Sequence, residues 1–257
     1  MLHTMNLRIE PFEKIKEGSK TIELRLNDEK IKKIKIGDFI EFSCIDTLER
    51  RIQTRVTALH HFNTFREMYS ELPKEKLGYS LSETPNPYHM DQYYSHEKQE
   101  QYGVLGIELY ITSLQKFIYA QDHGYSFGET YQTALSEMKR GYKTSHWIWY
   151  VFPQIKGLGR SETAAFFSIQ NLREAKDYYD HPILGTRLIE ISKILLCLES
   201  NDPKALFGYP DAYKVRSCMT LFKYAATEQE LFQKVLDKFF HGVEDNKTLG
   251  ILGLRGK

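Results

Sequence analysis

The sequence predicts an α+β protein of two domains, a small mixed β-barrel over residues 1–112 and an all-helical domain over residues 113–257. Two patterns predict this division. Short segments in the first half alternate between apolar and polar residues, as half-buried strands do. From Leu114 onwards the apolar residues recur three and four positions apart, which is the spacing of amphipathic helices. The change of pattern places the domain boundary near Ser113.

The first half contains several short strands and two short helices. Ile22, Leu24 and Leu26 alternate with polar residues, which predicts a strand over residues 21–26. The preceding segment 11–18 predicts a helix, because Pro lies near its start and Gly at its end. The same reasoning predicts a helix over residues 65–72 and further strands over residues 38–42, 53–59 and 103–109. Several short strands with few helices are typical of a small barrel.

The second half is helical throughout. Its helices end at Gly or next to Pro, residues that stop helices, for example at Gly141 and Pro182. One helix opens at Leu114, and the others are predicted over residues 127–141, 161–169, 171–179, 183–199, 213–222 and 228–240.

Composition restricts the classes of function. The 257 residues include 35 Lys and Arg and 34 Asp and Glu, so the net charge of the chain is +1. Counted separately, the first domain has a net charge of −2 and the second a net charge of +3. Neither domain is basic enough to bind the phosphate backbone of nucleic acid by electrostatic attraction over a broad surface, so we expect no duplex DNA partner. The three cysteines lack metal-ligand spacing, and no apolar run spans a membrane. We therefore expect a cytoplasmic protein with no membrane partner, no metal site and no cofactor.

The most informative polar group in the first half surrounds the predicted strand 21–26. Lys20 lies at the junction of helix and strand, while Glu23 and Arg25 project from one strand face. A carboxylate beside an ammonium and a guanidinium can bind an anion or a polar base, or move a proton. An exposed strand carrying an ordinary ion pair explains the same pattern, and the residues alone favour that interpretation.

This half resembles an ASCH domain of the PUA-like superfamily. The matching pattern G-x-K-T-x-E-x-R consists of Gly18, Lys20, Thr21, Glu23 and Arg25, and the resemblance covers roughly residues 5–110. It implies a small β-barrel whose cleft is lined by this motif, with a role in recognising RNA or a nucleotide. It thereby makes Lys20 and Glu23 candidate catalytic residues and Thr21 and Arg25 candidate ligand-binding residues.

The resemblance leaves two functions open. Some ASCH relatives are amidohydrolases that remove the acetyl group of acetylated cytidine with a lysine, a threonine on the next strand and a downstream glutamate. Lys20 matches that lysine, but Glu23 stands where the threonine is expected, and Glu67 and Glu71 are both candidates for the glutamate. The chain is therefore either a binding protein for RNA or a nucleoside-like small molecule, or an amidohydrolase acting on an acylated nucleoside.

Tyrosines near the end of the first half offer stacking surfaces for a base. Most of them are expected to pack against the edge of the barrel. Tyr93 and Tyr94 are adjacent, so only one of them faces a given side of an extended segment. We predict that Tyr94 is the one that faces the cleft.

Residues 143–154 are the densest aromatic run in the sequence and contain both tryptophans. The candidate site of the helical domain lies in and near this run. Such a run usually forms part of a core. The polar residues beside it, together with the glycines before a helix that starts at Ser161, instead suit a phosphate group. The candidate ligand-binding residues are Lys143, His146, Gln154, Arg160 and Arg216.

The second half resembles the family of unknown function DUF1810, which is sometimes labelled calpastatin-like. The matching segments include 145–147, 152–154 and 158–161, and the resemblance spans nearly all of residues 114–252. It implies an all-helical fold with no established activity. A nucleotide-like or ADP-ribose-type ligand, bound or processed by this domain, is a third hypothesis.

Overall fold

The computed structural model describes residues 1–47, 50–226 and 230–254. They form two compact units, Met1–Ser113 and Leu114–Lys257. The first unit is built on a five-stranded sheet, and the described part of the second is helical, which confirms the predicted α+β class. No helix within the described ranges is long and apolar enough to cross a membrane.

The sheet of the first unit curls into a half-barrel. Its strands are β1 (Leu2–Leu7), β2 (Ile22–Leu26), β3 (Phe39–Cys44), β4 (Arg51–Phe62) and β5 (Val104–Ile111). The strand order is β1-β3-β4-β5-β2, with β1 parallel to β3 and the remaining pairs antiparallel. Strands β1 and β2 are therefore the two edges. The sequence pattern did not predict β1, because His3 and Thr4 interrupt the alternation of its apolar and polar residues.

Helices pack against both faces of the sheet. The first unit's α-helices are α1 (Ile9–Glu17), α2 (Phe65–Glu71) and α3 (His96–Tyr102) among the described residues. Ile107 belongs to the apolar cluster that contains α1, whereas Ile22 and Leu24 belong to the cluster that contains α2. Because Glu23 lies directly opposite Ile107 in the antiparallel register, its carboxylate shares the face of the α1 cluster. Glu23 is therefore a polar residue on a buried face.

The described helices of the second unit include one long, mostly buried helix, Asp211–Ala225, against which several of the others pack. In chain order they are α4 (Gln115–His123), α5 (Tyr131–Arg140), α6 (Ile148–Val151), α7 (Glu162–Phe166), α8 (Leu172–Asp180), α9 (Leu184–Cys197), α10 (Pro203–Phe207), α11 (Asp211–Ala225), α12 (Leu231–Phe240) and α13 (Asn246–Ile251). Helix α5 begins later than predicted because the Thr130 hydroxyl accepts a hydrogen bond from the Thr133 amide and so caps it. The predicted helix start at Glu228 lies outside the described residues.

Lys238 of α12 caps the carboxyl end of α9. Its ammonium donates hydrogen bonds to the carbonyl oxygens of Leu195, Leu196 and Leu198 at the helix end, and the Leu195 carbonyl also accepts from the Leu198 amide. We expect Lys238→Met to lower the free energy of unfolding by about 2 kcal/mol, measured by urea denaturation. The matched control is Lys193→Met on the exposed side of α9. Equal losses in the two variants would contradict the capping role.

Candidate functional site

A cavity of about 220 Å³ lies at the two edge strands of the half-barrel. It is lined by Met5 and Asn6 of β1, by Arg25 and Leu26 of β2, and by Asp28, Lys30, Ile31 and Tyr94. Two basic side chains reach backbone oxygens of β1: Arg25 Nη2 donates to the Asn6 carbonyl at 3.0 Å, and Lys30 Nζ donates to the Thr4 carbonyl at 3.1 Å. We call this space the edge cavity.

Glu23 joins the polar residues of the sequence motif into one cluster. Its Oε1 lies 3.0 Å from Arg25 Nη2, and its Oε2 lies 3.5 Å from Lys20 Nζ. Glu23 and Lys20 are only 5% and 7% exposed. The interpretation as an exposed strand with an ordinary ion pair is therefore wrong, because the pairs are buried.

A loop after α2 closes over Lys20. The Leu77 carbonyl accepts a hydrogen bond from Lys20 Nζ at 3.5 Å. Gly78 follows with φ +92°, and a Cβ there would lie 3.1 Å from the Lys20 Cβ, so a side chain at this position would crowd the lysine. Burial lowers the pKa of Lys20, although the Glu23 carboxylate opposes that shift.

Arg25 connects the buried cluster to the edge cavity. Burial alone would lower the pKa of Arg25, but the Glu23 carboxylate and the Tyr94 hydroxyl raise it. Its Nε is buried and has no hydrogen-bond partner among the residues that the structure describes. Tyr94 packs its ring on Phe65, with centroids 5.5 Å apart, whereas the neighbouring Tyr93 is half exposed. The cavity is therefore bounded by a fixed guanidinium and a tyrosine.

The remaining candidates of the first unit lie apart from this cluster. The Thr21 amide donates to the Lys76 carbonyl, and the Thr21 carbonyl accepts from Leu109, so its backbone fixes the start of β2. Glu67 accepts hydrogen bonds from Asn63, and Glu71 is exposed. Neither glutamate forms an ion pair with Lys20, and the carboxylate that lies beside the lysine is that of Glu23.

The aromatic run of the second unit is mostly core. Trp147, Tyr150 and Phe152 are almost completely buried, which confirms that interpretation for them. Trp149 differs, because it is partly exposed and Lys214 Nζ lies 4.3 Å from its ring centroid.

The five polar candidates of the second unit are dispersed. Lys143 Nζ forms an ion pair of 2.6 Å with Asp211, and Arg216 binds the carbonyls of Val243 and Glu244. His146 and Arg160 are exposed, while the Gln154 carbonyl accepts from Ile169. No hydrogen bond or ion pair joins any two of these five within the described ranges. The expected phosphate site around Lys143 and Arg160 is therefore not assembled.

The sequence analysis missed Glu137 of α5, which organises the same segment. Its carboxylate accepts hydrogen bonds from the amides and hydroxyls of Thr144 and Ser145 and from Nε1 of Trp147. Burial opposes ionisation, but these donors hold the pKa of Glu137 at about 2. The available signal was a cluster of short-range donors following the helix stop at Gly141.

In the described part of the chain, no three His, Cys, Asp or Glu side chains are grouped so that they could hold a metal ion.

Comparison with protein families agrees with the two units. The family model "Protein of unknown function (DUF1810)" matches residues 111–252. The chain belongs to the DUF1810 family. An ASCH domain precedes this region and matches residues 5–113. The ASCH domain of this DUF1810 protein indicates a PUA-like fold, which is a fold of the RNA-binding kind.

Solved structures similar to this DUF1810 protein carry no assigned function in their names. The conserved hypothetical protein Rv1873 from Mycobacterium tuberculosis is 36% identical, with a TM-score of 0.51, and the match covers 55% of this chain and 96% of that one. Hypothetical protein PH0355 is 31% identical over 43% of this chain and 99% of that one, with a TM-score of 0.37. Protein PF0455 from Pyrococcus furiosus is 33% identical over 44% and 99%, with a TM-score of 0.35. No curated protein matches the chain.

Proposed function

We propose that the ASCH domain binds single-stranded RNA or a nucleoside in the edge cavity. The observation that carries this proposal is the Arg25 guanidinium, which is held by Glu23 and the Asn6 carbonyl while lining a cavity with Tyr94. Arg25 Nη2 makes both of these contacts, so the guanidinium is already oriented at the cavity wall when a ligand enters.

The size and charge of the edge cavity support a single base as its occupant. A base combines a flat stacking face with donors and acceptors on its edge, and proteins that read unpaired nucleotides use aromatic stacking and side-chain hydrogen bonds together. Tyr94 supplies the aromatic ring, while Arg25 and Asn6 supply polar groups. The net charge of −2 in this domain argues for local contacts, so binding should depend only weakly on salt.

Fluorescence anisotropy with a labelled single-stranded RNA, combined with competition by cytidine and N4-acetylcytidine, tests the proposal. We expect Arg25→Gln to weaken binding by about tenfold, because a charged hydrogen-bond donor is lost. Arg51→Gln is the matched control, since Arg51 lies on β4 and pairs with Glu41. Absence of binding by the native chain, or equal weakening in both variants, would contradict the proposal.

Amidohydrolase activity on an acylated nucleoside is the second candidate. The observation that favours it is the buried Lys20, whose pKa is lowered by burial and whose ammonium lies beside the Glu23 carboxylate. An amine with a lowered pKa is more readily available as a base or nucleophile. Release of acetate from N4-acetylcytidine by the native chain, lost in Lys20→Met, would establish hydrolysis; Arg25-dependent binding without release would establish a binding module.

A further inference from the structure

A second cavity, of about 260 Å³, lies within the helical unit. Its walls come from α10, from α11 and from the segment where α12 ends. The residues that give it chemical character are Lys204, Tyr213, Arg216, Phe239, Phe240 and His241. We call this space the helical cavity. It combines three basic side chains with three aromatic ones, and none of the described residues that line it is a carboxylate.

The basic side chains of the helical cavity are not neutralised from within the protein. Lys204, Arg216 and His241 form no ion pair with any carboxylate in the part of the chain that the structure describes. Asp202 and Asp211, which flank α10 and begin α11, have other partners. Asp202 accepts from the amides of Lys204 and Ala205 as a helix cap, and Asp211 pairs with Lys143 and Lys214.

Glu244, which follows the lining residue Val243, also has partners outside the cavity. Glu244 Oε1 pairs with Lys223 at 2.6 Å, and its Oε2 accepts from the Tyr224 hydroxyl at 3.2 Å. Asp237, whose Oδ1 lies beside Gly242 and accepts a hydrogen bond from Gln233, is near the cavity but is not one of its lining residues. A concave site lined by lysine and arginine attracts an anion.

Arg216 is held in place before any ligand arrives. Its Nε donates to the Val243 carbonyl at 2.8 Å and its Nη2 donates to the Glu244 carbonyl at 2.7 Å. These bonds fix the plane of the guanidinium and leave further N–H groups for a ligand. A fixed donor loses little conformational entropy on binding, which favours affinity.

We propose that the helical cavity binds a small organic anion with a flat apolar body, such as an aromatic carboxylate or a phosphate monoester. The anionic group is held by Arg216 and Lys204, because charge-assisted hydrogen bonds are the stronger ones. The body packs against Tyr213 and the phenylalanines at the end of α12, where apolar surface is removed from water. This site is separate from the edge cavity and does not depend on the function proposed for it.

Isothermal titration of the full chain with phenyl phosphate tests the proposal, with phenol as the uncharged probe and inorganic phosphate as the probe without a body. We expect one phenyl phosphate per chain, bound at least about tenfold more tightly than either other probe. Lys204→Gln and Tyr213→Ala should each weaken binding about fivefold. Arg216 is left intact in this test, because its hydrogen bonds hold residues 243–244.

Two control variants locate the binding. Lys193→Gln removes an exposed charge from α9, which does not line the helical cavity, and Arg25→Gln alters the edge cavity. Both should bind phenyl phosphate as the native chain does. The proposal would be overturned if phenyl phosphate did not bind at millimolar concentration, or if phenol or inorganic phosphate bound equally well. It would also be overturned if the control variants lost as much affinity for phenyl phosphate as Lys204→Gln and Tyr213→Ala.

Discussion

Replacing Glu23 with glutamine should lower the free energy of unfolding of the ASCH domain by about 3 kcal/mol, measured by urea denaturation. Glu23 is the carboxylate that pairs with both Lys20 and Arg25 in a largely buried setting. Without it, two cations remain close together with no carboxylate between them. Removing one partner of a buried ion pair costs far more than removing an exposed charge, because the remaining charge stays desolvated.

The same variant has a distinctive pH dependence. Burial already lowers the pKa of Lys20, and loss of the Glu23 carboxylate removes the main opposing contribution. A lysine whose pKa is lower in the folded state destabilises the fold below that pKa, and stability rises as the pH approaches the unfolded value of about 10.4. The cost of Glu23→Gln should therefore shrink as the pH rises.

Controls separate the cluster from general effects of charge. Glu29→Gln removes an exposed carboxylate that pairs with Lys32 in the same domain, and should change stability by less than about 0.5 kcal/mol. Adding Lys20→Met to Glu23→Gln should recover part of the loss, since the unpaired ammonium is removed. Additive losses in the double variant, or a Glu23→Gln effect no larger than that of the control, would contradict the buried cluster.

Replacing Glu137 with glutamine should lower the free energy of unfolding of the helical domain by about 3 kcal/mol at neutral pH. The Glu137 carboxylate is 1% exposed and accepts hydrogen bonds from Thr144, Ser145 and Trp147. A glutamine keeps the size of the side chain but replaces one acceptor oxygen with a donor. Several of these donors then lose their partner in a buried position.

Acid unfolding provides the independent check on Glu137. Folding lowers the pKa of Glu137 from 4.5 to about 2, so the ionised carboxylate contributes to the free energy of unfolding above pH 4.5, and this contribution is lost as the pH falls towards 2. The free energy of unfolding of Glu137→Gln should therefore change less with pH across this range than that of the native chain. The exposed-site control Glu199→Gln should follow the native pH dependence. Parallel curves for the native chain and Glu137→Gln would refute this role.

Local sequence patterns predicted the local parts of the structure. The alternation of Ile22, Leu24 and Leu26 located β2, since residues on one strand face share one environment. The motif also brought Lys20, Glu23 and Arg25 together, because they lie within six consecutive residues and their separation is fixed by the strand. Their burial was not predictable, because the 77–78 loop and strand β1, which contact Lys20 and Arg25, are distant in the sequence.

Contacts between distant segments account for what the sequence could not predict. The Asn6 and Leu77 carbonyls reach Arg25 and Lys20 from outside the motif, and no local pattern marks a backbone oxygen as a partner. In the helical domain, aromatic density correctly indicated core, but it did not identify which polar neighbours converge. Lys143 instead pairs with Asp211, and Arg216 donates hydrogen bonds to the backbone carbonyls of residues 243 and 244.

Chemical-shift mapping of the isotopically labelled full chain with cytidine locates the nucleoside site residue by residue. We expect the largest changes at the backbone amides of Asn6, Arg25 and Tyr94, around the edge cavity. Arg25→Gln should weaken these changes, whereas Arg51→Gln should not. Glu108 of β5 forms ion pairs with His60 of β4 and with Lys76 of the loop after α2. Changes confined to these three residues or to the helical unit would contradict a nucleoside site in the edge cavity.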